Sequence, residues 1–175
     1  LDNNTSASNG GALFIGNYAT LSMVDVDVTD NTASSSGGGL YGEEYVALDV
    51  SGGDWSRNDA ASRGGGGYFS SDTTMQLAGV SITHNTAYVG GGLCGYQVDL
   101  EMSSVSVSFN NASNYGGGAF VNGFSDTTLN TVTFGSNTAS VAAGLYIFNN
   151  TSTSGAHTWD DVTASNNAAN AISGG

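Results

Sequence analysis

A segment of about 27 residues recurs along this 175-residue chain, and that self-similarity limits the fold more than any single motif does. Asn31-Thr32-Ala33-Ser34 leads to Gly37-Gly38-Gly39-Leu40-Tyr41, and Asn4-Thr5-Ser6 leads to Gly10-Gly11-Ala12-Leu13-Phe14. Asn58-Asp59-Ala60 precedes Gly64-Gly65-Gly66-Gly67-Tyr68, and Asn85-Thr86-Ala87 precedes Gly90-Gly91-Gly92-Leu93-Cys94. Asn110 then pairs with Gly116-Gly117-Gly118-Ala119-Phe120, and Asn137-Thr138-Ala139 with Ala142-Ala143-Gly144-Leu145-Tyr146. A last copy begins at Asn166-Asn167-Ala168 and stops at Gly174-Gly175.

Each unit carries strand-like alternation rather than helical spacing. Val80-Ser81-Ile82, Val105-Ser106-Val107 and Val132-Thr133-Phe134 stand ahead of an asparagine, and Val24-Asp25-Val26-Asp27-Val28 reads the same way. A second stretch, such as Ala12-Leu13-Phe14-Ile15, follows the glycines, and a third is centred on Leu21, Leu48, Leu77, Leu100 and Leu129. Strands this short bury no core alone but do so when the chain coils and equivalent strands stack in parallel. The expectation is an all-β fold: a single-stranded parallel β-helix, a solenoid of about six coils with three short strands per coil. At the spacing of paired strands, six coils make a rod of roughly 29 Å. The repeat covers residues 1–175 as one domain, read as a segment of a longer solenoid or as a unit stacked end to end.

The repeated residues then have mechanical tasks. Asn31, Asn58, Asn85, Asn110 and Asn137 are expected to stack at one corner, amide bonding to amide along the column, with asparagine tolerating a left-handed backbone there. The glycine triplets allow positive φ and close approach between coils. Proline is absent, as befits strands whose N–H groups are nearly all paired.

Phe134-Gly135-Ser136-Asn137 and Ile82-Thr83-His84-Asn85, together with Gly10-Gly11-Ala12-Leu13, resemble the repeat of polymorphic outer membrane proteins, within the broader pectate-lyase-like superfamily. The resemblance spans essentially the whole chain and implies a right-handed β-helix. Its relatives are mostly passengers, adhesins and surface modules, so it implies an extracellular or cell-surface location and no single activity. The triplet here is usually Gly-Gly-Gly rather than Gly-Gly-Ala.

Charge narrows the partners. Two arginines and no lysine stand against 15 acidic residues, a formal net charge of -13. Nucleic acid is excluded as an electrostatic partner, because backbone affinity needs cations to displace counterions, and so is a basic patch on an anionic membrane. No apolar run approaches the length of a membrane span. Cys94 is alone and forms no internal disulfide.

Candidate sites are sparse. Arg57 and Arg63 flank the Asn58 corner and read as solvated charges rather than a lyase base, and Asp160-Asp161 point to opposite faces if they lie on one strand. Asp25 and Asp27 alternate with valines and project from one face, about 7 Å apart, as the candidates for a shared Ca²⁺. The next coil offers Ser and Gly instead, which favours a solvated acidic stripe and no cofactor. His84 shares its position with Asp30, Arg57 and Ser136, a set that implies a water-facing site. His157 has no partner at ligand spacing.

The most informative column holds Phe14, Tyr41, Tyr68, Phe120 and Tyr146, interrupted by Cys94. With the more aliphatic neighbours, such as Leu13 and Ile15, pointing inward, these rings form an exposed line suited to sugars or to another protein. With the parity reversed they stack inside as a ladder. The sequons at Asn3, Asn4, Asn111, Asn149 and Asn150 matter in a source that glycosylates. A non-catalytic structural or adhesive segment of a surface protein or fibre accounts best for these features, with self-association along or end to end and glycans as partners. A carbohydrate-binding or carbohydrate-cleaving β-helix is the alternative.

Overall fold

The computed structural model describes residues 1–123, 126–148 and 156–170. Its strands are all parallel and lie coil upon coil in three sheets, a β-solenoid of about six turns with no helix among the described residues. None of those residues therefore forms a helix long and apolar enough to cross a membrane.

One sheet, here the glycine sheet, stacks Leu13–Ile15, Leu40–Gly42, Gly67–Phe69, Leu93–Tyr96, Ala119–Asn122 and Leu145–Phe148. A broad sheet takes two segments from each coil, Thr20–Val24 and Val28–Thr29 in the first, Thr73–Ala78 and Ser81–Thr83 in the third. In Thr127–Gly135 and His157–Ser165 the two segments join. Even there the chain bends: Thr131 and Asp161 are left-handed, with φ of 55° and 49°, and the register passes from Asn130↔Asp160 to Val132↔Val162.

The third sheet starts directly after each asparagine, with Thr5–Ser6, Thr32–Ala33, Asp59–Ala60, Thr86–Val89, Asn111–Tyr115, Thr138–Ala139 and Ala168–Ala169. It adds to the three stretches found by alternation. Its members bury as little as one alanine each, Ala33 or Ala60, which is too short a pattern to read. Register also divides the leucine-centred stretch into two rows. Met75, not Leu77, pairs with Leu48 and Leu100, while Leu77 pairs with Val50 and Met102.

The core runs the length of the coil stack, with Trp55, Phe69 and Phe134 its largest fully or nearly fully buried side chains. Phe69 supplies bulk where the glycine sheet has none. A Cβ on Gly67 would meet its ring at 2.8 Å, and one on Gly42, in the coil before, would meet it at 2.5 Å. Big and small residues thus alternate between coils to keep native packing density.

The asparagine column is bonded as anticipated. From Asn4 through Asn31, Asn58, Asn85, Asn110 and Asn137 to Asn167, each backbone N–H and each Nδ2 donates to the Oδ1 of the asparagine one coil on, at 2.9–3.1 Å. The second Nδ2 hydrogen goes to a backbone carbonyl, of Val28 for Asn58 and of Trp55 for Asn85. Asn31, Asn58, Asn85, Asn110 and Asn137 are at most 1% exposed, so full satisfaction is what makes their burial tolerable. One expectation needs correction: the left-handed residue is not the asparagine but the one before it. Asp30, Arg57, His84, Phe109 and Ser136 have φ of 54–57°. Their backbone turns the corner, and the asparagine that follows does not have positive φ and bonds along the column.

At Gly64 and Gly65 the glycine step has two separate requirements. Gly64 has φ of 64°, and a Cβ on Gly65 would collide with the carbonyl oxygen of Gly91 in the next coil.

Candidate functional site

In the glycine sheet the inward parity falls on Leu40, Leu93, Ile15 and Phe69, which join the core. The ring column faces the other way and forms a separate cluster around Tyr68, Cys94 and Phe120. It is not an exposed line, however. Phe14 is 48% exposed, but Tyr68 is 8% and Phe120 6%, with Tyr41 and Tyr146 half-buried. Two things cover them. Rings stack on rings, Phe14 on Tyr41 at 5.1 Å, Tyr41 on Tyr68 at 5.2 Å and Phe120 on Tyr146 at 5.4 Å. In addition, Val89 and Tyr115, each just before a glycine step, pack into the ring cluster from the neighbouring sheet, and Arg63 at the same offset lies over Tyr96.

Cys94, itself buried, breaks the stack, and a groove opens beside the break, lined by Tyr96 and Phe120 rather than by Cys94. Tyr96, two residues further along the same strand, bridges the gap with a tilted ring, 6.0 Å from Tyr68 and 5.6 Å from Phe120. The Arg63 guanidinium lies over the Tyr96 ring at 5.1 Å. Tyr115 forms the far wall, tilted against Phe120 at 6.3 Å and Tyr146 at 5.3 Å. The cavity between the two walls measures about 530 Å³, floored by Val89 and rimmed by Ser62, Tyr88 and Asn114. Asn114 Nδ2 donates to the Tyr88 hydroxyl at 3.1 Å.

Electrostatics follow from this burial. Desolvation raises the pKa of Tyr68 and Tyr96 above the ordinary phenol value, a nearby Cys94 thiol adds to it, and Arg63 opposes it. Burial pushes the Cys94 thiol far up as well, with Arg63 again a minor opposing influence. Cys94 is therefore a neutral packing residue and no nucleophile at ordinary pH. Arg63 differs from Arg57. Arg57 sits at the asparagine corner and grips Asp30 with two charge-assisted bonds, Nε to Oδ1 at 2.8 Å and Nη2 to Oδ2 at 2.7 Å. Arg63 has no carboxylate at ion-pair distance among the described residues. The expectation that both arginines flank the asparagine corner thus holds for Arg57 alone.

The other candidates lie apart from the groove. Asp25 and Asp27 do not alternate along one strand: Asp25 is left-handed, with φ of 52°, and the strand ends at Val24. Asp27 Oδ1 accepts the Asp54 backbone N–H at 2.9 Å. The two carboxylates sit on either side of a corner, and among the described residues no cluster of three or more His, Cys, Asp or Glu could hold a metal ion. Asp161 is likewise a corner residue, so the Asp160-Asp161 pair does not follow strand alternation. His84 is exposed and stacks on Phe109 at 5.1 Å. Of the sequons, Asn3, Asn4 and Asn111 are exposed, Asn111 accepting from Thr138 Oγ1 at 2.7 Å; Asn149 and Asn150 lie outside the described residues.

Sequence reading missed Tyr88, Tyr96 and Tyr115 as groove residues and placed Arg63 elsewhere. A signal was present: Arg63, Val89 and Tyr115 occupy the same offset, one residue before the glycines. Comparison with protein-family models, with curated proteins and with solved structures finds no match to this chain.

Proposed function

We propose that this chain is a non-catalytic structural and adhesive β-solenoid of an extracellular or cell-surface protein or fibre, holding a recognition groove at a fixed point along its rod. The observation that carries the reading is the groove beside the break in the ring stack, where aromatic walls and an arginine with no carboxylate partner among the described residues face solvent together. Ring faces suit the C–H faces of sugars, and the hydroxyl and amide groups on the rim suit their hydroxyls. Carbohydrate is therefore the proposed adhesive target. The resemblance to polymorphic outer membrane protein repeats, with the right-handed winding it implies, supports the surface assignment.

Immobilised protein presented with a broad glycan array tests this reading. Retention of a subset of glycans, each recovered with unchanged mass, is expected. Recovery of shortened or unsaturated products would show an enzyme instead.

Self-association along the rod is a second reading, favoured by Tyr18 and Tyr45. Their rings stack at 4.9 Å and are 76% and 46% exposed at one corner. Sedimentation over a concentration series is expected to show association that Tyr18→Ser removes; a monomer at every concentration would end that reading.

A further inference from the structure

Arg63 carries information about the ligand. The chain has 15 acidic residues and only two cations, and Asp30 already engages the other cation, Arg57, bidentately. In such a chain an arginine without a carboxylate partner is the exception. Its guanidinium carbon lies over the Tyr96 ring, 5.1 Å from the centroid. A guanidinium carries five N–H donors in a planar fork, and a carboxylate matches that fork with two parallel bonds. Among the described residues no carboxylate lies at ion-pair distance from Arg63; only the neutral hydroxyls of Tyr68 and Tyr96 engage it, so its charge lines the groove uncompensated.

Scale and lining define the remainder of the ligand. Arg63 and Tyr115 occupy one column two coils apart, with Val89 between them. Two strand spacings place their backbones roughly 10 Å apart. That gap admits a single six-membered ring standing between the guanidinium and the Tyr115 face. The rim of Ser62, Asn114 and tyrosine hydroxyls supplies several polar groups around the ring's edge, which a polyhydroxylated ring satisfies and an aromatic ring does not. The net charge of -13 repels a polyanion at long range, so a single carboxylate on an otherwise neutral glycan is favoured over a chain of them.

We infer that the groove between Arg63 and Tyr115 is a binding site for a sugar acid, a pyranose with one carboxylate that ends or interrupts a neutral glycan. Arg63 takes the carboxylate, and the ring of Tyr115 takes a face of the sugar. This inference rests on the glycan-binding reading above and specifies its ligand.

Calorimetric titration of the full chain with glucuronate, glucose, 4-hydroxybenzoate and a polyuronate tests it. Glucuronate is expected to bind about tenfold or more tightly than glucose, the usual strength of a hydrogen bond to a charged group. Arg63→Gln is expected to remove the preference, bringing glucuronate down to the level of glucose. Arg57→Gln leaves both unchanged. Arg63 is exposed, so its variant is expected to keep the wild-type far-ultraviolet spectrum, and Tyr115→Ala provides an independent loss of binding. Equal affinity for glucose and glucuronate would overturn the sugar-acid assignment, as would tighter binding of 4-hydroxybenzoate or of the polyuronate per sugar unit. So would glucuronate binding that survives Arg63→Gln. Glycans retained on the array in the absence of glucuronate binding overturn this inference alone; an array without any retention overturns the adhesive reading as well.

Discussion

The asparagine corner and the aromatic flank lie on either side of the same glycine step, yet they are built on opposite rules. At the corner each coil repeats one residue and one bonding pattern, from Asn4 to Asn167. On the flank the column changes from Phe14 to Tyr41, Tyr68, Cys94, Phe120 and Tyr146, and the residue before the glycines changes from Arg63 to Val89 to Tyr115. Uniformity suits a task that every coil shares, namely closure of the solenoid. Variation at fixed backbone positions creates one place unlike the others, and the groove is that place.

The corner should therefore be the more costly half to disturb. Asn85→Ala strands the N–H and one Nδ2 hydrogen of Asn58 and the carbonyl of Trp55, all in the dry interior. At about 1–3 kcal/mol per orphaned group, a loss of about 3–5 kcal/mol in denaturant unfolding is expected. A loss under about 1 kcal/mol would mean the ladder is ornamental. Gly65→Ala comes next. Its Cβ meets the Gly91 carbonyl and, at 2.6 Å, the Thr86 oxygen. Because backbone rather than a flexible side chain must yield, about 3 kcal/mol is expected. Gly16→Ala, where a Cβ meets nothing within 4 Å, is expected to leave the unfolding midpoint in place.

On the flank, stability and recognition should separate. Cys94→Tyr restores a ring to the column and displaces Tyr96, at a cost of about 1–3 kcal/mol for overpacking, and it is expected to abolish glycan retention by closing the groove. Retention by that variant would place the adhesive surface elsewhere. Alkaline pH probes the same rings more gently. Burial raises the pKa of Tyr68 and Tyr96 in the folded chain, so the folded state holds those protons more tightly than the unfolded state. The contribution is complete below the unfolded value of about 10 and is lost as pH rises through the folded values. The melting temperature should fall in that range, with tyrosinate absorbance lagging that of the unfolded chain. The smallest effect is expected from Arg57→Gln. Its pair with Asp30 is solvent-exposed, and such pairs contribute little, so an unchanged melting temperature is expected.

What could be read in advance follows the same division. The repeat, the parallel coils and the asparagine ladder were legible because each is a periodic requirement, stated again in every coil. The left-handed residues before each asparagine were hidden, because Asp30, Arg57, His84 and Phe109 share a backbone angle and no side-chain chemistry. Asp25 and Asp27 followed strand alternation in sequence while the chain turned a corner at Asp25. The groove was hidden for a further reason. It joins Arg63 and Tyr115 from one sheet with Tyr96 and Phe120 from another, and alternation within a single strand carries no information about what crosses the step between sheets.

Residue-resolved hydrogen exchange tests the central claim most directly. The backbone N–H groups of Asn31, Asn58, Asn85, Asn110 and Asn137 all donate to the side-chain oxygen of the asparagine one coil on, buried in the first four and part-buried at Asn167. They are expected to exchange together, at the slow limit set by global unfolding, while the amides of Tyr88 and Asn114 beside the groove exchange faster. Corner amides that exchange as readily as those of the groove, or at rates that differ from coil to coil, would contradict the account of a solenoid closed by one continuous asparagine ladder.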